Sequence, residues 1–327
     1  MPVILSMTDP QIERKLIEIM RIINESDRPI GARAIADELH NRGYKLGERA
    51  VRYHLRILDE RGFTYKHGYN GRTITPRGAE ELEEALIGDR LDFVITHIED
   101  LIYKVDFSPK TGKGNVIVNV SYIDKDYFED AIEIIEKSSK VSISPKIAIF
   151  DEDNHTVNVP AGKIGVGTLC SITFDGILLR NRIPVKPAFG GVIELNEWKF
   201  DRFLDLISYS GTSIDPIKIF LIRQPTSVLN VLENGSGRIL ANMRTISVSS
   251  VDKAQCVLES LTKSELSGMF KIGGENGSIF GAPVDAGMVG VVVSVGVNSI
   301  AAVAESGIPV NTDPVSTIMK YEDMFLP

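Results

Sequence analysis

Apolar positions in the first third of the chain follow a helical rhythm. Ile12, Leu16, Ile19, Met20 and Ile23 step by three and four after Asp9-Pro10, an N-cap residue followed by a proline suited to a first turn. "PIGARAIADEL" (29–39) keeps that period over a shorter span, which predicts a second helix. "GERAVRYHLRILDERG" (47–62) predicts a third, with Val51, Leu55 and Leu58 on one face and Gly62 as its stop. Two β-prone runs in "FTYKHGYNGRTIT" (63–75) flank Asn70-Gly71, a pair that favours a two-residue hairpin turn. Helix, helix–turn–helix and hairpin together predict a winged helix over residues 1–79.

Residues 80–110 predict a helical linker, with Leu82, Leu86, Leu91, Val94, Ile98 and Leu101 at roughly helical spacing. It reads either as a connector packed on the body of the protein or as a contact between two protomers. Beyond it the pattern changes to alternating and continuous apolar runs, and it repeats. "GKGNVIVNVSYIDK" (112–125) is similar to "GSGRILANMRTISVSSVDK" (235–253), which at constant offset sets Val118, Val120, Ser121, Ile123, Asp124 and Lys125 against Ile246, Val248, Ser249, Val251, Asp252 and Lys253. "IGVGTLCSITFDGILLRNRIPV" (164–185) is similar to "MVGVVVSVGVNSIAAVAESGIPV" (288–310), although the turn at Asn181-Arg182 becomes Ser306-Gly307. A strand–helix–strand unit thus occurs twice, in about 111–234 and 235–327, and predicts a pseudo-duplicated α/β (α+β) domain over 111–327. The uncharged run at 286–304 is near membrane-spanning length, but its Val/Gly/Ser/Asn content and its place in a repeat favour a buried strand and helix.

Charge separates the same two parts. Residues 1–79 hold 14 Lys/Arg against 10 Asp/Glu, about +4 in a chain of −8, so about −12 lies in the rest. A basic head on an acidic body is the asymmetry of a nucleic-acid module joined to something else. Only Cys170 and Cys256 occur, in no CxxC spacing, and the N-terminus lacks the basic and apolar regions of a signal peptide. A reducing, cytoplasmic setting is expected.

In a helix–turn–helix the second helix puts its N-terminal residues at base edges. Those residues are Glu48, Arg49, Arg52, Tyr53, His54 and Arg56, with Arg33 on the helix before; arginine's fork suits guanine edges and phosphates. Lys66, His67 and Arg72 on the hairpin are placed to grip the backbone or minor groove. An ordinary solvated charged face is the bland alternative, and His54 suits a structural role as well as a phosphate contact.

The body holds no GxSxG, HExxH or GxxxxGK[ST], and three of five histidines fall in the head, which leaves little for an enzyme or a zinc site. Its best candidate is "AGKIGVGTLCSITFDG" (161–176). There Gly165 and Gly167 would let backbone amides approach an anion, and Thr168, Cys170 and Ser171 come next. Lys186 lies near in sequence, and "FGGVIE" and "YSGTSIDP" read as two further turns built for close approach. Amides, hydroxyls and a few cations suit a small carboxylate; strand packing alone would also explain them.

"GVGTLCSITFDGILLRNRIPV", "FGGVIEL" and "YSGTSIDPIKIF" together resemble the regulatory domain of the archaeal nitrogen-regulatory repressor NrpR, and with the winged helix the resemblance covers nearly the whole chain. It implies a non-enzymatic, homodimeric repressor of nitrogen-fixation and ammonia-assimilation genes. Such a repressor binds double-stranded DNA at inverted-repeat operators and is released by 2-oxoglutarate, with no cofactor. Carried onto this sequence, it assigns the effector pocket to Gly165, Gly167, Thr168, Cys170, Ser171, Lys186, Gly190, Gly191, Thr212 and Asp215. The chain has room for one regulatory domain after the head where many members carry two, which implies a split form with a second NrpR-domain protein as partner. Rival readings are a small-acid enzyme fused to a winged helix and a non-sensing DNA-binding subunit.

Overall fold

The computed structural model describes residues 10–327 except 27, 155, 213, 265, 267 and 276; side chains are described for the same residues save 10–14 and 83–94. The expected N-cap at Asp9 and the expected apolar positions Ile12, Leu86, Leu91 and Val94 lie outside these. The chain divides into two compact units, Met1–Arg90 and Leu91–Pro327.

In the first unit α1 (Pro10–Asn24), α2 (Ala32–Asn41) and α3 (Glu48–Glu60) precede a hairpin of β1 (Thr64–Lys66) and β2 (Arg72–Ile74). One core gathers Leu16, Ile19, Met20 and Ile23 of α1, Ile35 and Leu39 of α2, and Val51, Leu55 and Leu58 of α3. Each set steps by three or four, so a single apolar stripe per helix builds this core. Ile30 bridges Arg72, which adds a third short strand to the hairpin. Gly71 sits at φ +113°, and a Cβ there would lie 2.3 Å from the Ile30 carbonyl oxygen, so only glycine permits this approach. The turn is longer than the expected two-residue form. It runs from His67 to Gly71, closed by the Gly71 carbonyl accepting from the His67 amide at 2.8 Å, with Gly68 also left-handed. Helix α4 (Pro76–Lys104) comes next without interruption.

The second unit is built from two sheets. One has the order β7-β6-β8-β10-β9 and the other β11-β3-β5-β4, all pairs antiparallel. The first repeat contributes β3 (Asn115–Asp124), α5 (Phe128–Lys137), β4 (Ile147–Phe150), β5 (Lys163–Leu169), α6 (Ile172–Arg180) and β6 (Val185–Asn196). The hairpin strand β7 (Lys199–Ser208) and helices α7 (Pro216–Arg223) and α8 (Val228–Asn234) have no counterpart in the second repeat. That repeat consists of β8 (Gly237–Ser247), α9 (Val251–Thr262), β9 (Phe270–Ile272), β10 (Met288–Ser294), α10 (Asn298–Glu305) and β11 (Val310–Lys320). Each repeat hands its last strand to the other's sheet: β6 pairs with β8, and β11 with β3.

Equivalent hydrogen bonds fix the true register. Thr173 Oγ1 caps the Ile117 amide at 3.0 Å, and Asn298 Oδ1 accepts from the Leu240 amide at 2.8 Å in the matching place. Cys170 N donates to Ile117 O, as Val295 N does to Leu240 O. These pairs set β3 against β8 five residues away from the alignment read in the sequence: Asn119 matches Asn242, and Ser121 matches Arg244. The Val/Ser/Asp/Lys similarity was strong enough locally to slip the frame. The later similarity holds, since β5 and β10 each lead into a buried helix. Arg182 takes the left-handed conformation of Gly307 (φ 60° and 91°), so the two turns have one shape despite unlike residues. Residues 286–304 form β10 and α10 with Val291, Val293, Ile300 and Val303 in the core, and no helix among the described residues is long and apolar enough to cross a membrane.

Candidate nucleic-acid face and effector cavity

On α3 the core-facing side is Val51, His54, Leu55 and Leu58, while Arg49, Arg52, Tyr53 and Arg56 face solvent. Arg52 is held by Glu48 at 2.5 Å and Arg56 by Glu60 at 3.4 Å, both on the exposed surface, where such pairs are worth little and exchange readily for phosphate. Arg33, Arg49 and Lys66 are exposed and have no ion-pair partner among the described residues.

Three expected contacts belong to the scaffold instead. His54 is buried beside the core, where desolvation and then Lys15 lower its pKa, so its ring is neutral and turned away from any ligand on the arginine face. Arg72 grips Asp59 through Nε (2.9 and 3.0 Å) and Nη2 (2.7 Å), tying the hairpin to the end of α3. Thr64 Oγ1 donates to the same carboxylate at 2.6 Å. His67 Nε2 meets Thr73 Oγ1 at 2.8 Å, so that ring braces the hairpin as well. Tyr65 and Tyr69 stand exposed on the hairpin beside Lys66.

In the second unit the glycine-rich stretch is not an anion turn. Gly165 and Gly167 lie inside β5, paired to β3 on one side and β4 on the other, so their amides serve the ladder. They are glycine because a Cβ at Gly167 would meet Phe150 and Ala148 at 2.8 and 3.1 Å. Gly190 and Gly191 likewise lie within β6 rather than in a turn, under Pro216 and against β7. Lys186 is exposed on β6, and Thr212 is half-buried, its hydroxyl donating to Tyr209 O at 3.5 Å.

What the fold does bring together lies astride the pseudo-two-fold relation. Asn119, Cys170, Ser171, Tyr209, Asp215, Ile217, Asn242, Val295, Val297, Pro314 and Val315 line a small cavity. The matched asparagines face it from β3 and β8. Asn242 Nδ2 donates to Ser171 Oγ at 2.8 Å, Tyr209 donates to Asn242 Oδ1 at 3.3 Å, and Asn119 Oδ1 accepts from Val315 N at 3.0 Å. Asp215 caps α7 through Oδ1 (2.8 Å to Ile217 N) while its Oδ2 is buried without a partner among the described residues, and burial pushes its carboxyl up to about 6. Thr168 Oγ1 on β5 is also buried and unpartnered. Burial pushes the Cys170 thiol up to about 12, which makes it a wall of the cavity and not a nucleophile.

Beside the cavity, Arg244 of β8 and Asp175 of α6 form a fully buried ion pair. Apart from this ion pair, neither Asp175 oxygen, nor Nε or Nη1 of Arg244, has a hydrogen-bond partner among the described residues. Burial outweighs the guanidinium and lifts Asp175 to about 6. Arg244 Nη2 reaches the Ser171 carbonyl at 3.4 Å, linking the pair to the cavity wall. Neither repeat symmetry nor packing calls for this pair, whose counterparts are Ser121 and Ile300. Space for the centre of a water-sized sphere is about 10 Å³, room for about one water. A larger cleft of about 200 Å³ between α7, α10 and β11 has no buried unpartnered polar atom in its lining among the described residues.

A model of the NrpR regulatory domains NRD1 and 2 matches residues 91–325. The chain belongs to the NrpR family. A ribonuclease R winged-helix domain model matches residues 17–82. The chain is 57% identical to the global nitrogen regulator NrpRI of Methanosarcina mazei over 97% of this chain and 99% of that one. It is 36% identical to the global nitrogen regulator NrpR of Methanocaldococcus jannaschii over 96% of its own length but 55% of the relative's. The crystal structure of a nitrogen repressor-like protein from Methanococcus jannaschii superposes with a TM-score of 0.60 at 28% identity, covering 71% of this chain and 96% of that one. These relatives are named as regulators, not enzymes.

The sequence missed Asn119, Asn242, Tyr209, Asp175 and Arg244. A five-residue correction of the repeat would have set the two asparagines together. A lone acid in apolar "ITFDGILL" and a lone arginine in apolar "ILANMRTI" were the available signals for the ion pair.

Proposed function

We propose that this NrpR-family regulator binds DNA through its winged helix, represses nitrogen-assimilation and nitrogen-fixation genes, and is released from its operator by 2-oxoglutarate taken up at the Asn119–Asn242 cavity. The observation that carries the reading is a small cavity lined by the matched Asn119 and Asn242, with Asp215 Oδ2 in its lining and Thr168 Oγ1 and two Arg244 nitrogens outside it, none with a hydrogen-bond partner among the described residues. Native interiors rarely leave such groups unsatisfied without a function, and a guanidinium with unused donors is the natural partner of a carboxylate. Exposed Arg33, Arg49, Arg52, Tyr53, Arg56 and Lys66 are the DNA contacts in this reading. A homodimer acting on an inverted repeat accords with the half-site geometry of winged helices.

One observation favours a second reading. Room for about one water requires the walls to move before a five-carbon diacid enters, so the same structure suits a DNA-binding subunit whose effector is sensed by a second NrpR-domain protein. Fluorescence anisotropy separates the two. Binding to an inverted-repeat operator, relieved by 2-oxoglutarate but not by glutarate with this chain alone, supports sensing within the chain. Specific binding without relief supports the partner, and no preference over a scrambled duplex overturns both.

A further inference from the structure

The cavity is roofed by Pro314 and Val315, in the segment where β11 breaks register against β3 between Asp313 and Thr317. Within that bulge Val315 has φ +51°, a conformation that a β-branched residue adopts only when its surroundings force it. Four restraints hold the bulge: Asp313 to Lys218 at 2.7 Å, Val315 N to Asn119 Oδ1 at 3.0 Å, Ser316 Oγ to Val120 N at 3.0 Å, and the Val315 carbonyl to His97. The last comes from α4: His97 Nε2 donates to Val315 O at 3.2 Å. Around His97 the same helix buries Ile98, Leu101 and Ile102, and its end presses Val105 on Gly176, next to Asp175. Thus α4 touches the cavity's roof through His97, and the residue just after its end packs on α6 at Gly176, beside the ion pair. Its N-terminal end is the segment directly after the hairpin in the chain.

We propose that residues 313–316 are a spring-loaded lid over the cavity, and that His97 is the positioning residue that latches it and reports its opening to α4. The strained Val315 favours release, and the hydrogen bonds to Asn119 and His97 oppose it. A ligand filling the cavity must displace Pro314 and Val315, which breaks the His97 bond and frees α4 at that point. This step rests on the effector reading above; the latch itself does not.

Hydrogen exchange of the full chain, read on peptides spanning 313–317, tests the latch without ligand. His97→Ala is expected to speed exchange of the Val315 amide by about two- to tenfold, the loss of one neutral hydrogen bond. His97→Gln, which restores a donor at the same reach, is expected to return it to the wild-type rate. Unchanged exchange in His97→Ala, in protein whose circular dichroism and melting match wild type, overturns the latch. Operator anisotropy with 2-oxoglutarate then tests the report to α4. His97→Ala should still take up 2-oxoglutarate but show a smaller loss of operator affinity at saturation, and an undiminished loss overturns that half. Wild type that ignores 2-oxoglutarate sinks the effector reading and the report with it, while the exchange result still decides the latch.

Discussion

The Arg244–Asp175 pair buries two charged side chains in the second unit, and a double-mutant cycle can decide its purpose. Both side chains are out of solvent, and burial lifts the Asp175 carboxyl to about 6 against the pull of the guanidinium, so desolvation exceeds the mutual attraction. Removing one partner strands the other charge: Asp175→Leu and Arg244→Met should each destabilise by roughly 3–5 kcal/mol, and the double variant should recover most of that or exceed wild type. Trp198, the single tryptophan, lies in the second unit and reports its unfolding in urea without interference from the head. At about 2 kcal/mol per molar urea, each single variant should move the midpoint down by roughly 1.5–2.5 M. The double variant, if it stays near wild type, should lose the response to 2-oxoglutarate, which would mean the pair is kept for ligand rather than for stability. Single shifts below about 0.5 M would refute the burial argument. A double variant as unstable as the sum of the singles would refute the claim that the pair does not repay its desolvation.

Three further outcomes separate contact from scaffold. Arg49→Ala should weaken operator binding by about 10- to 100-fold and leave the head's melting unchanged, because Arg49 is exposed and has no ion-pair partner among the described residues; a change in melting with intact affinity would move Arg49 to the scaffold. Gly71→Ala places a Cβ 2.3 Å from Ile30 O at φ +113°, so the head's thermal transition should fall by at least about 4–8 °C, the shift that about 1 kcal/mol makes in a domain of this size. Asp215 binds its proton more tightly folded (about 6) than unfolded (3.8), so between those values rising pH costs stability. Asp215→Asn keeps the cap on Ile217 N without the charge. Its melting temperature should exceed wild type above pH 6 and converge with it near pH 4, and an advantage that does not grow with pH would contradict the burial of Oδ2.

Local patterning made the head readable. Three apolar stripes and one glycine-rich turn specify it, and each signal lies within about fifteen residues. The exposed face of α3 came from the same periodicity, since whatever Val51, Leu55 and Leu58 do not occupy faces outward. His54 and Arg72 were misread because periodicity cannot tell a polar side chain at the edge of the buried stripe from one outside it: His54 sits next to Leu55, and Arg72 finds Asp59 thirteen residues back. In the second unit the duplication was legible but its frame was not. The β3 and β8 strands are apolar enough to align in several registers, and the hydrogen bonds from Thr173 and Asn298 that fix the frame join unlike residues. Gly165, Gly167, Gly190 and Gly191 signalled close approach correctly but not by what: side chains and neighbouring strands, not a ligand. The cavity itself unites residues from β3, β8 and β11 with the turns after β5 and β10 and the 209–217 segment, a meeting decided by the strand exchange between repeats.

One chain that both reads DNA and senses its effector must couple the two, and coupling is reciprocal. The most direct measurement is the calorimetric affinity for 2-oxoglutarate, taken with the protein alone and again saturated with its operator duplex at the same salt. Weaker effector binding on the operator, by the same factor by which saturating 2-oxoglutarate weakens operator binding, is the result this account predicts. Equal effector affinity in both states, or none in either, would contradict it.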